Sequence, residues 1–587
     1  MKNRILMISI IAISLVMVSC EKSLDIQPKD SITDKGLTYT ATEMEMYSNQ
    51  FYTRLPGSLS WWAWASDGGS DNGVSAVYGY WDALPAGTQT IPSSGGGWDF
   101  TGVRSVNFFL ANYKKSNEAT DIQNKYAGEV YFWKAWIYAD LMRRFGDLPW
   151  LTAPLDVDSP ELYDGRISRS IIADSILAVL DKAIAMLPAK AQTAPGRIHK
   201  DVALLFKARI ALYEGTWEKY HASDAFKGDG RDVNRFFTQA KDAAEAVMNG
   251  RYRLYKEYAD PALPEGFSYW RLFSAPSTET RNNPEVILAR EFNYALNLIY
   301  WGQQIITSGG PDGQGVSKSL VDAYLCKDGL PTSVSPLYKG DDSLLAVVAD
   351  RDPRLKMTVL TPGVPIKIYK GVTNYFKLPL LTLVPWPNTT GYQIYKWLSP
   401  FIATEDEGGN STSNGVPIFR YAEALLIAAE AHAELGTCTQ QVLDKTINEL
   451  RGRAGVAPLS VGVGFTDPKW EFPQVSPLLN EIRRERRVEL AYEGFRTDDL
   501  YRWAATHLLQ APKLGSKIEQ WRGKPFSPAY NVDEVSKTMK NAAGYLSPYF
   551  AFYGEGVLKF NPARDYLYPL PTDQMVLNTN LKQNPGY

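Results

Sequence analysis

Carboxylates alternate with arginines near the end of the chain. Glu481, Glu485, Glu489, Glu493, Asp498 and Asp499 are interleaved with Arg483, Arg484, Arg486, Arg487, Arg496 and Arg502. Paired carboxylates are the equipment of general acid–base chemistry, as in glycoside hydrolysis, but that work needs them to face a cleft. The spacing here points elsewhere. Ile482, Arg486, Glu489 and Glu493 recur at i, i+4, i+7 and i+11, on one helical face. Charges on such a face predict a buried, mutually paired network, from which removing one member costs ~3–5 kcal/mol. Gly494 suits the C-terminal cap of that helix, and the arginines are expected to brace the following turn through Asp498 and Asp499. Histidines stand far apart, at positions 199, 221, 432 and 507, with no HExxH and no Cys/His cluster. A zinc or iron site is therefore not expected. The stretch Asp224–Asp232 is acidic enough to consider calcium but lacks EF-hand spacing. No catalytic residue, metal or cofactor is assigned.

Aromatic side chains are the other conspicuous resource: 16 Trp, 34 Tyr and 23 Phe. Some of these rings must fill the core and others are available as binding surface. Trp133, Trp136, Trp217 and Trp503 lie in helical patterns and are expected in the core. Trp61, Trp62 and Trp64 end a predicted helix, and at least one of them should be buried. Other rings sit in polar surroundings. Tyr78, Tyr80 and Trp81 follow the run Asp67-Gly-Gly-Ser-Asp71-Asn72. Trp301 adjoins Tyr300 and precedes Gln303, Gln304 and a glycine-rich stretch, and Trp270 adjoins Tyr269.

What must position these groups is a set of helices. In Ser170–Leu187, Ile172, Ile176, Val179, Ala183 and Leu187 keep helical spacing until Pro188 ends the run. Lys200–Tyr213 sets Val202, Leu205, Phe206 and Leu212 on one side and the small Ala203, Ala208 and Ala211 on the other. Tyr421–Leu435 and Ala127–Phe145 repeat the pattern. Small residues on one face and large ones on the other predict stacked helix pairs of tetratricopeptide style, although no strict repeat period is visible. Between the helices, Ser66–Gly97, Glu218–Asp232, Tyr258–Glu279, Thr307–Gly315, Thr361–Pro387 and Thr404–Gly415 are rich in loop-forming residues. Loops this long are usually functional or disordered. Ile366–Val384 has the composition of a short hairpin. The expectation is a mainly α scaffold with an irregular, loop-built surface.

The N-terminus carries a targeting signal. Lys2 and Arg4 precede an apolar run from Ile5 to Val18, too short to span a bilayer, which needs about 20 residues. Met17-Val18-Ser19-Cys20 resembles a bacterial lipobox, with Met17 where Leu is usual. Its cysteine would be acylated, and several acyl chains anchor a protein firmly, at about 0.8 kcal/mol per buried CH₂. Residues 1–19 are thus expected to be a signal peptide and Cys20 the lipidated first residue. Only Cys326 and Cys438 remain, which is no disulfide scaffold. Both are expected as buried thiols. Formal charge is −2, with 62 basic and 64 acidic residues, which leaves no electrostatic footprint for nucleic acid.

Four segments, in order along the chain, together resemble the SusD/RagB family of Bacteroidetes nutrient-binding lipoproteins. The first is Cys20-Glu-Lys-Ser-Leu24-Asp25-Ile-Gln-Pro28. The second runs from Gly128-Glu129 to Arg143-Arg144-Phe145-Gly146-Asp147-Leu148-Pro149. The third comprises Phe419-Arg420-Tyr421-Ala422-Glu423, Asn448-Glu-Leu-Arg451-Gly-Arg453-Ala454-Gly455, and the arginine-rich stretch from Glu481 to Trp503. The fourth is Tyr566-Leu567-Tyr-Pro569-Leu-Pro571, closing with Asn584-Pro585-Gly586-Tyr587.

The resemblance implies a SusD-like domain over residues 20–587, with an N-terminal part at 20–215 and a C-terminal SusD/RagB part at 270–587. It implies a non-enzymatic lipoprotein on the outer face of the outer membrane. Such proteins bind oligosaccharides or polysaccharide and act as the lid of a SusC-like TonB-dependent transporter. RagB-like members, which take peptides, are the alternative. A sugar offers apolar C–H faces to flat rings and hydroxyls to polar side chains. In SusD-like proteins the glycan site is built from an early loop and a mid-chain loop. By position, that implies Trp81 and Trp301, with Tyr80, Asp71, Asn72, Tyr300 and Trp270 as further glycan-binding residues.

Overall fold

A computed structural model describes residues 38–56, 65–74, 86–260, 263, 266–300, 315–369, 371–377, 388–401, 413–521, 540–548 and 558–587. Cys20, Trp61, Trp62, Trp64, Tyr78, Tyr80, Trp81 and Trp301 lie outside the described residues.

Local signals start and stop the helices. Helix α1 (Ala41–Asn49) opens on a capping box in which Thr40 and Glu43 bond each other's backbone N–H. Helices α2 (Thr101–Asn112) and α3 (Thr120–Phe145) follow. Asp121 in the first turn of α3 and Arg143 and Arg144 in its last complement the helix dipole. Gly146, at φ +73°, ends it in a backbone conformation that favours glycine. Then come α4 (Arg169–Met186), α5 (Lys200–Tyr220), α6 (Asn234–Met248) and α7 (Ser268–Ser274). The C-terminal half contributes α8 (Tyr421–Glu434), α9 (Ile447–Ala454), α10 (Pro477–Glu489) and α11 (Arg496–Arg502). Ser476 caps α10 by accepting from the Leu479 N–H at 3.2 Å, and Pro477 takes the first helical position.

From α3 to α6 each helix packs on the next, and α8 lies against both α6 and α10. This is the helix-pair scaffold expected from the alternation of small and large faces. Small residues set the helix separation. A Cβ at Gly128 of α3 would lie 3.0 Å from Leu187 beyond α4, and one at Gly215 of α5 would lie 2.9 Å from the Phe237 ring of α6. Trp133, Trp136, Trp217 and Trp503 are all buried, as their helical positions predict. Burying side chains of this size stabilises by about 1.5–3 kcal/mol each.

Strands are few. Strands β1 (Gly73–Val74), β2 (Val286–Arg290), β3 (Gly315–Val316), β4 (Pro365–Tyr369), β5 (Val372–Tyr375) and β6 (Val416–Arg420) form three antiparallel pairs: β1 with β3, β2 with β6, and β4 with β5. The β4–β5 hairpin begins one residue before the stretch Ile366–Val384, whose composition suits a short hairpin, and otherwise lies within it.

Four details depart from the sequence expectations. Helix α5 continues past Tyr213 to Tyr220, because Glu214, Gly215, Thr216 and Trp217 are buried in helical register. The polar stretch Tyr258–Glu279 is not all loop, since α7 lies inside it. Helix α10 ends at Glu489 rather than beside Gly494, and Tyr492 takes a left-handed turn at φ +58° before Gly494 does so at +82°. Cys326 and Cys438 are both free. Cys326 is buried, but Cys438 is only half-buried, and desolvation raises its thiol pKa to about 11. No helix among the described residues is long and apolar enough to cross a membrane.

Candidate functional site

The early and mid-chain stretches that carry the loop aromatics are tied together at their roots. Gly73 pairs with Val316 and Val74 with Gly315, in antiparallel register. The chain segment holding Tyr80 and Trp81 therefore leaves the described structure at Val74, beside Gly315, where the segment holding Trp301 rejoins it. Gly315 is there for want of space, since a Cβ would lie 2.1 Å from Thr390 Oγ1.

Beneath this ribbon lies a buried polar foundation. Tyr492 sits at its centre. Its N–H donates to Asp67 Oδ2, and its hydroxyl lies 3.2 Å from the Asn72 carbonyl and 3.5 Å from that of Gly315. One side chain thus reaches the carbonyls of both loop roots. Contacts at both ends hold Tyr492 in its left-handed conformation, which costs a non-glycine residue on the order of 1–3 kcal/mol. Ser317 donates its backbone N–H to the Asn72 carbonyl at 2.8 Å, and Ser319 Oγ donates to the Asp71 carbonyl at 2.8 Å.

Asp71 and Asn72, expected at the ligand, belong to this foundation instead. Arg496 bonds both carboxylate oxygens of Asp71, at 2.7 and 2.8 Å. Arg487 reaches the same carboxylate at 3.1 Å and donates from Nε to Asn72 Oδ1 at 2.9 Å. Burial alone would raise the Asp71 pKa, but these two guanidinium groups outweigh it and hold the carboxyl well below the usual range. Asp67 differs. It is fully buried, and desolvation raises its pKa to about 7 against the opposing hydrogen bonds from Asn72 and Tyr492.

Trp270 is not a loop ring offered to a ligand. It lies on α7 at 0% exposure and stacks on Tyr395 with centroids 5.4 Å apart. Tyr300 is 3% exposed and packs against Phe292 at 4.5 Å. Both are core because apolar neighbours enclose them, and desolvation pushes the Tyr300 hydroxyl pKa upward. Sequence reasoning missed Tyr492 and the two serines as supports of the ribbon. The one available signal was that Tyr492 falls between Glu489 and Gly494, in the densest part of the arginine-rich motif.

The carboxylates of that motif are engaged by cationic partners, and the cleft that Asp498 and Asp499 line, about 20 Å³, has room for little more than a water. Glu489 binds Arg420 at 2.7 Å, Arg354 at 2.8 Å and Arg453, all nearly fully buried. Glu493 bonds Arg420 and the buried Lys396, each at 2.7 Å. Burial lowers the Lys396 pKa to about 8, with Glu493 opposing. Glu430 takes a bidentate pair from Arg502 at 2.6 and 2.7 Å. Asp499 is bonded by Arg486 and Arg502 as the turn-bracing expectation required, while Asp498 pairs with Arg143 at the end of α3. Burial would raise the Glu489 and Glu430 pKa values, but the arginines around them outweigh it and hold both carboxyls below the usual range, so neither is suited to act as a base. The acidic stretch Asp224–Asp232 is likewise used locally: Asp224 bonds His221 at 2.6 Å and Asp229 pairs with Arg231 at 2.8 Å. Among the described residues no cluster of three metal-ligating side chains occurs.

Comparison with known proteins places these features in a family. Residues 274–587 match the family model described as the SusD family. A curated relative, SusD-like protein P2 of Formosa agariphila, is 24% identical over 496 residues, covering 83% of this chain and 78% of that one. Among solved structures, a SusD-like protein from Bacteroides fragilis superposes with a TM-score of 0.71 at 22% identity, covering 96% of this chain and 100% of the other. A second Bacteroides fragilis structure, described as a SusD-like carbohydrate binding protein, gives 0.69 at 22% identity, covering 93% and 100%.

Proposed function

The chain belongs to the SusD family, and on that premise we propose that it binds oligosaccharides at the surface above the β1–β3 ribbon and passes them to a partner TonB-dependent outer-membrane transporter, for which it is the lid. The observation that carries this reading is the pairing of Gly73 with Val316. It joins the near end of the segment bearing Trp81 to the far end of the segment bearing Trp301, so the two segments share one root on the fold. Trp81 is seven positions beyond Val74, a reach of roughly 25 Å at most when extended. In this reading the two rings stack on faces of the bound sugar. The carbohydrate-binding description of a structural neighbour supports the choice of ligand class.

Lipidation at Cys20 anchors the protein on the outer face of the outer membrane in this reading. Binding proceeds without hydrolysis, because the carboxylates that would serve an acid–base mechanism are held by arginines.

The test is calorimetric titration with panels of oligosaccharides and of peptides, together with co-purification of the tagged protein from its native membrane. Oligosaccharide binding and recovery of a barrel transporter are expected. Preference for peptides, or release of shorter sugars by the pure protein, would overturn the reading.

A further inference from the structure

A groove lies apart from the ribbon, between the stretch Lys190–His199 and strand β2. A cleft of about 240 Å³ is lined by Lys190, Thr193, His199, Arg251, Arg281 and Asn282, among others. It shares Pro195, Gly196, Arg281, Ala289 and Glu291 with a second cleft of about 480 Å³, so the two form one groove. Together they match the size of small-ligand sites, which run to several hundred Å³.

The groove carries uncompensated positive charge. Arg197 is matched by Glu129 at 2.6 Å and Arg281 by Glu291 at 3.0 Å. Lys190, Arg251 and Arg290 have no carboxylate within salt-bridge distance among the described residues. Among the described residues Lys190 Nζ donates only to the Val286 carbonyl at 2.8 Å, and Arg290 only to the carbonyls of Leu55 and Pro56 at 2.7 and 3.1 Å. Arg251 is exposed. Asp201 is the nearby acid, and it accepts the Tyr252 hydroxyl at 2.8 Å. Lys190 is disfavoured as a cation, first by burial and then by Arg251, with Asp201 opposing, and its pKa falls to about 8. A negative group entering the groove would relieve that repulsion.

His199 shows that the wall is unfinished. Its Nε2 lies 3.1 Å from the Ile287 carbonyl, which can only accept, so Nε2 carries the proton. Nδ1 is then an acceptor, buried, without a hydrogen-bond partner among the described residues, and 3.7 Å from Asp201; a donor such as a sugar hydroxyl, not the acid group itself, would satisfy it. Buried polar atoms left unpaired are uncommon in folded proteins.

We propose that this groove is a second ligand site, taking the carboxylate or sulfate ester of an acidic oligosaccharide against Lys190 and Arg251. The site goes beyond the neutral stacking surface of the ribbon, and it rests on the proposed function only in the ligand being a sugar.

Titration of the full protein with tetragalacturonate, a sulfated galactan tetrasaccharide and neutral maltotetraose tests it, at low and high salt. At least one anionic probe is expected to bind, more weakly at high salt. Its identity decides between carboxylate and sulfate. Arg251→Glu and Lys190→Gln should each weaken that binding by about tenfold and leave melting temperature and any neutral-sugar binding unchanged. Because Arg251 is exposed, its variant should fold even if the lysine variant does not. Anionic binding that survives Arg251→Glu, or that is abolished only by Trp301→Ala, overturns the groove site and leaves the family function intact. Binding of neutral sugars alone does the same. Failure of every sugar to bind would overturn both.

Discussion

Arg496 closes on Asp71 through two hydrogen bonds, Nε to Oδ1 at 2.7 Å and Nη2 to Oδ2 at 2.8 Å, between residues 425 positions apart in the chain. The pair is almost wholly buried and holds the root of the early loop against the motif that follows α10.

Replacing Asp71 by Ala should cost ~3–5 kcal/mol of folding stability, because the two buried guanidinium groups of Arg496 and Arg487 are left with Glu471 as the one carboxylate between them. Chemical denaturation measures it. A loss below about 1 kcal/mol would place the pair in the surface class, where ion pairs contribute little.

Trp270→Ala should destabilise by ~3–5 kcal/mol, the cost of emptying a large core site. Trp81→Ala and Trp301→Ala should do the opposite: leave the melting temperature nearly unchanged and weaken oligosaccharide binding about tenfold or more. Calorimetric titration and thermal melts on the same three variants separate packing from recognition.

Asp67 gives stability a pH dependence of unusual sign for a carboxylate. Its pKa in the folded protein is about 7, against a usual 3.8. Below about pH 4 both folded and unfolded forms are protonated and the group contributes nothing. As pH rises towards 7, the unfolded chain ionises while the folded one stays neutral, so stability is progressively lost, and above about 7 the loss is constant. Asp67→Asn should remove this component. The variant should gain on the wild type between pH 4 and 7, as followed by denaturant midpoints. Parallel curves for the two proteins would contradict it.

Cys20→Ala should abolish incorporation of labelled palmitate and release the protein from the membrane with its fold intact. Wild-type protein that takes up no label would sink the lipobox reading.

Much of the scaffold was legible in the sequence. Helical spacing of Ile172, Ile176 and Val179, or of Val202, Leu205 and Phe206, reports a helix directly, because one face of each must be buried. The paired network was legible for the same reason, since Arg486 and Glu489 on an apolar face have to find partners. Positions whose role depends on what meets them from far along the chain were not. Nothing near Trp270 announces that Tyr395 will cover it, and Asp71 and Asn72 have a composition suited to a sugar rim until Arg487 and Arg496 arrive. Tyr492 illustrates the limit most clearly, because its role is set by carbonyls of the distant Asn72 and Gly315.

The pairings at the C-terminal end of α3 and at the ribbon also bear on the order in which the molecule can assemble. Arg143 waits for Asp498, Asp71 for Arg496, and the Phe145 carbonyl for the side chain of Asn584 at 3.1 Å. A ribosome delivers the first member of each couple long before the second. The early helices therefore emerge with buried-type arginines and carboxylates still exposed, and with the first loop root unattached. A product cut short before residue 496 would keep much of its helical content yet lack every one of these closures, leaving it a ready substrate for proteolysis. Completion of the chain, rather than the formation of any one helix, is the event that locks the β1–β3 ribbon in place.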